Sequence, residues 1–67
     1  MPKFLVAKHI VKILLLNGFY FIRQNGSHAK YRKLNLTVIV PMHSREIPFG
    51  TFKSILRQSK LTQEDFE

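Results

Sequence analysis

Sixty-seven residues leave room for one domain, 1–67, and one small core, near the size below which chains without disulfides or metals rarely fold alone. Eleven Lys and Arg against four Asp and Glu give a formal charge of +7, and no carboxylate side chain precedes Glu46, so the partners this composition favours are polyanions: nucleic acid, an anionic membrane or an acidic protein. The 45 % apolar content excludes a disordered basic tail, the lack of cysteine excludes a disulfide framework or thiolate zinc site and suits a reducing cytoplasm, and the longest apolar run falls far short of the roughly 18 residues that span a bilayer, so neither a membrane segment nor a signal peptide is expected.

From Val6 to Asn17 the residues Val6, Ile10, Ile13 and Leu14 recur at helical spacing, with Lys8, His9 and Lys12 on the other side. Gly18 after Asn17 is a helix stop in the left-handed position. Leu15 and Leu16 flank the lysine side and fall outside the stripe, which leaves two readings open: a helix covered on more than one side, or a face turned to a partner. Phe19–Gln24 is aromatic and β-branched enough for a strand, and Asn25-Gly26 predicts a type I′ hairpin turn into a second strand over His28–Lys33. A short connection at Leu34-Asn35 leads into Leu36–Val40, closed by Pro41, completing a three-stranded antiparallel meander.

Met42–Ile47 reads as a loop, after which Pro48 suits the first turn of a helix running to about Ser59. Phe52, Ile55 and Leu56 form its apolar face, with Lys53, Arg57 and Gln58 directed away. Thr62 followed by Asp65 has capping-box spacing for a short terminal turn ending at Phe66. The order α, β, β, β, α predicts a small α+β sandwich with helices on one face of the sheet, similar to double-stranded-RNA-binding domains.

The chemistry concentrates at Gly26-Ser27-His28, between the turn and the basic stretch Lys30-Tyr31-Arg32-Lys33. An imidazole with an ordinary pKa near 6.5 can move a proton at neutral pH, and cations beside it suit a polyanionic substrate. RNA fits best, because its own 2′-OH is the nucleophile: cleavage needs that hydroxyl deprotonated, the phosphorane charge stabilised and the 5′-oxygen protonated, with no obligatory metal or cofactor.

Several segments together resemble the HicA toxins of type II toxin–antitoxin systems. They are Ile13–Phe19 (ILLLNGF), Gly26-Ser27-His28 followed by Tyr31, Val38–His43 (VIVPMH) and Gly50–Gln58 (GTFKSILRQ), in this order along nearly the whole chain. The resemblance implies a dsRNA-binding-like fold, a metal-independent mRNA interferase without cofactors, His28 as the catalytic histidine, and neutralisation by a HicB-type antitoxin.

Beside each functional reading stands a plainer one. Lys30 and Arg32 share one strand face by the two-residue period and reach either backbone phosphates or solvent. Lys53 and Arg57, four apart on the second helix, contact RNA or keep the helix soluble. Ser27 bonds its own turn or orients the scissile phosphate. Tyr31 belongs in the core, His43 in a structural role, and His9 in solvent. The spread of the three histidines, without paired acids, disfavours a metal site. The leading reading is an endoribonuclease. A non-catalytic RNA-binding module of the same fold is the alternative, and a DNA- or acidic-protein-binding adaptor the weakest.

Overall fold

Alternation along the middle third of the chain builds the sheet. In a computed structural model describing residues 2–67, β1 (Tyr20–Asn25), β2 (His28–Lys33) and β3 (Leu36–Pro41) form an antiparallel meander in the order β1-β2-β3. On the inner face Ala29 and Tyr31 of β2 pair with Val40 and Val38 of β3, and all four are buried. The opposite face carries His28, Lys30 and Arg32. Two helices, α1 (Ala7–Leu16) and α2 (Phe49–Ser59), pack over the inner face chiefly at β3. The architecture is the expected α+β sandwich. Since the helices stop short of β1, all six β1 residues remain exposed, including Tyr20, Phe21 and Ile22.

α1 buries Ala7, Ile10 and Leu14, while Leu15 and Leu16 point to solvent. Its end is a complete Schellman arrangement: the Gly18 N–H donates to the Leu15 carbonyl (3.1 Å) and the Phe19 N–H to that of Leu14 (3.0 Å). Gly18 sits at φ 91°, and a Cβ there would press on the Lys33 side chain at 3.3 Å. Phe19 is therefore a buried anchor, and the strand begins one residue later than its composition suggests.

Phe52 of α2 is fully buried and gathers Phe4 (5.1 Å), Phe49 (6.1 Å) and Phe66 (5.5 Å, edge-on) around its ring. Burial of one such ring is worth about 1.5–3 kcal/mol, a large share of the stability of so small a fold. The terminal turn α3 (Gln63–Phe66) is fastened by that contact and by Asp65, whose carboxylate accepts the Thr62 N–H at 2.8 Å, one arm of the expected capping box. His9 is not free in solvent. It is half-buried, with Nε2 2.5 Å from the Phe66 carbonyl, and since that partner only accepts, Nε2 carries the proton.

Other details also depart from the sequence reading. Pro48 precedes α2 in extended conformation (φ −63°, ψ 150°) as its N-cap, not its first residue. Leu56 is only half-buried while Ser59 is buried, and Gln58 faces the sheet, its Oε1 accepting the Ile39 N–H at 3.0 Å. The first hairpin loop is Gly26-Ser27, flanked by the pair Asn25 and His28. Only Gly26 has positive φ (57°), the type II′ pattern, so Asn25 is still strand. Residues 3–5 form a 3₁₀ turn, and Met42–Ile47 is the expected loop, pinned at Glu46 by a bridge to Val6.

Candidate active site on the outer sheet face

The tight Gly26-Ser27 turn delivers His28 to the first position of β2, exposed on the outer face. From there the pleat places Lys30 and Arg32 on the same face, successive alternate residues of one rigid strand. Arg32 is steadied by Thr37 of β3, its Nη2 3.3 Å from Oγ1. Ser27 is half-buried and its carbonyl accepts the Met42 N–H at 2.6 Å, tying the turn to the chain leaving β3.

A fourth group joins this face that sequence reasoning did not single out. The register shifts at Ile22, so that Arg23 pairs with Lys30. In an unbroken register continuing from Phe21 opposite Tyr31, Arg23 would oppose Ala29 and turn inward. The bulge turns it outward instead, so that Arg23 stands across from Lys30 on the face that also carries His28 and Arg32. Three of the four acids, Glu64, Asp65 and Glu67, lie in or beside α3, which packs against α1 on the helix side, and the fourth, Glu46, is bridged to Val6 just before α1. Field lines from the outer face are therefore not neutralised by neighbours, and anions are attracted there.

Lys53 and Arg57 are not part of this gathering. Both are exposed on α2, in the helix layer behind the sheet, where Arg57 donates to Ser54 Oγ (3.3 Å) and Lys53 lies 6.0 Å from the Phe49 ring. Tyr31 faces the core, edge-on to Phe21 at 5.7 Å, and burial pushes its hydroxyl pKa up. It stays protonated at neutral pH and is no general base. His43 is exposed in the loop after β3, beyond the strand end next to His28. Among the described residues no three His, Cys, Asp or Glu side chains gather as a ligand set for a metal ion, and no helix is long and apolar enough to cross a membrane.

Residues 7–61 match the sequence model of a family described as the HicA toxin of bacterial toxin–antitoxin systems. The chain belongs to the HicA toxin family. The matched span holds α1, the whole sheet with His28 and its cations, the loop carrying His43, and α2; the 3₁₀ turn and α3 lie outside it. Among curated proteins, none matches this HicA-family toxin closely enough to stand as a relative.

Proposed function

We propose that this HicA-family toxin acts as one domain, 1–67, an endoribonuclease that cuts mRNA in the cytoplasm with His28 as general acid or base, and that a HicB-type antitoxin silences it. The observation that carries the reading is that an exposed imidazole heads the face that also carries Arg23, Lys30 and Arg32. RNA laid over that face has its phosphates neutralised by the three cations. His28 takes the proton of a 2′-OH, the freed alkoxide attacks the adjacent phosphorus, and the bond to the 5′-oxygen breaks as that oxygen acquires a proton. The products are a 2′,3′-cyclic phosphate and a free 5′-hydroxyl. Neutral imidazole suits the first transfer and imidazolium the second. Lys53 and Arg57 belong to a longer RNA path only if the strand wraps around the molecule, whereas Ser27, next to His28 in the turn, orients the scissile phosphate; all three rank behind the outer-face cations.

The test is His28→Ala. The side chain is exposed beside a turn, so little packing is lost and the variant folds as the parent does. Cleavage of RNA in excess EDTA should fall by about 10² to 10⁴, the usual worth of a general acid/base, while RNA binding persists. A folded His28→Ala protein that cuts at the parental rate removes His28 from the chemistry. RNA binding by a parent protein that never cleaves leaves the non-catalytic RNA-binding module.

A further inference from the structure

Between the start of α1 and the loop leaving β3 lies a cleft of about 580 Å³, with Lys8, His43, Ser44 and Arg45 as its polar walls and Val6 and Met42 among its apolar ones. The polar side chains offer two permanent cations, an imidazole and a hydroxyl. No carboxylate lines it, although Glu46 is next in the chain. Such a set suits a ligand with concentrated negative charge and several acceptor oxygens, which is the chemistry of a phosphate group.

The loop that forms one wall is held at both ends. Its far end is stitched to the N-terminal segment, the Ala7 N–H donating to the Arg45 carbonyl and the Ile47 N–H to that of Leu5, both at 2.9 Å, on either side of the Val6–Glu46 bridge. Its near end is tied to the turn that bears His28, by the Met42 bond to Ser27, and Pro41 is the cross-strand partner of His28 itself. A cross-strand Cα separation of about 5 Å plus two peptide steps of about 3.8 Å put the backbone of His43 within roughly 13 Å of that of His28. A few nucleotides of single-stranded backbone bridge that distance.

We propose that this cleft is a second phosphate subsite, binding a backbone phosphodiester of the same RNA strand a few nucleotides away from the bond at His28. The inference rests on the reading of His28 as an RNA-cleaving group. Lys8 and Arg45 supply the charge, and Ser44 and His43 supply directional donors. A strand anchored here at one phosphate and on Arg23, Lys30 and Arg32 at others crosses His28 in a fixed register.

The experiment measures binding of a single-stranded RNA oligonucleotide in the His28→Ala background, so that no cleavage intervenes, over a range of salt concentrations. Arg45 is exposed and holds the fold through its backbone carbonyl, so Arg45→Ala keeps the bridge intact, and Lys8 is likewise exposed. Each of Lys8→Ala and Arg45→Ala should make the salt dependence shallower by about 0.7 in log–log slope, the value of one single-strand phosphate contact. Arg45→Lys should restore most of it, and the amide resonances of Ser44 and Arg45 should shift on RNA addition. An unchanged slope in both alanine variants, with the outer-face variant Arg23→Ala still showing a loss, overturns the subsite and leaves the nuclease reading standing. Failure of the parent protein to bind or cut RNA at all overturns both.

Discussion

Leu34 is the residue whose conformation fits its chemistry least. It is the first residue of the β2–β3 loop, with φ 54° and 84 % of its surface exposed. A left-handed backbone costs a residue with a Cβ roughly 1–2 kcal/mol, and here no buried contact offsets that cost. The other hairpin shows the comfortable solution: Gly26 occupies the equivalent first loop position at φ 57°. Asn tolerates the left-handed region better than Leu and keeps a side chain that restrains the unfolded state. Leu34→Asn should therefore stabilise the protein by on the order of 1 kcal/mol, which for so small a domain raises the thermal midpoint by about 4–8 °C. An unchanged or lowered midpoint in a thermal melt would show that the turn carries no such strain. The loop lies at the end of the sheet away from His28, so RNA cleavage provides an independent check that the site is undisturbed.

At the scale of elements, the bulge in β1 decides how many cations the outer face presents. Arg23 is exposed and has no packing role, yet the register shift at Ile22 sets it opposite Lys30. Arg23→Ala should keep the fold and reduce the salt slope of single-stranded RNA binding by about 0.7, with weakened affinity at low salt. A slope equal to the parent's would mean that RNA does not cross β1. Arg23 illustrates what the sequence hides: strict alternation from Tyr20 gives no sign of the extra residue, because a bulge is fixed by pairing and not by composition. The elements with a clear period were legible, namely the Ile10 and Leu14 stripe of α1, the Phe52 and Ile55 stripe of α2, and the alternation that buries Ala29 and Tyr31 while His28 and Arg32 are exposed and Lys30 half-buried on the other face. The Asn17-Gly18 stop was legible too, since the geometry of a helix end calls for glycine there. Contacts between distant segments were not. The Val6–Glu46 bridge, the Gln58 bond to Ile39, the His9 bond to Phe66 and the bond of Ala7 to Arg45 all join residues whose neighbours in sequence say nothing of each other.

At the scale of the whole molecule, two surfaces meet along the sheet. The cleft lies at the end that bears His28, and the cationic outer face runs from that end to Arg32, the cross-strand partner of Tyr20. The exposed apolar side chains Leu15, Leu16, Tyr20, Phe21 and Ile22 cluster in the chain around the end of α1 and the start of β1, at the opposite end. A standard interface covers about 800 Å² on each partner, close to a fifth of the 4313 Å² surface of this toxin, so an antitoxin of ordinary footprint has to choose where to sit. Under the proposed function the choice is constrained, because silencing by steric masking requires that His28 be covered, whereas apolar contact at Leu15 and Leu16 adds affinity without blocking RNA. The two contributions are then separable. Leu16→Lys, at a site 72 % exposed, should weaken the toxin–antitoxin complex and leave cleavage by the free toxin intact. In the parental complex His28 should resist acylation by diethyl pyrocarbonate, and Lys30 should resist amine acylation, both read by mass spectrometry against the free toxin. A complex that is inactive on RNA while His28 and Lys30 react as fast as in the free protein would rule out masking of the outer face and require the antitoxin to act from elsewhere on the toxin.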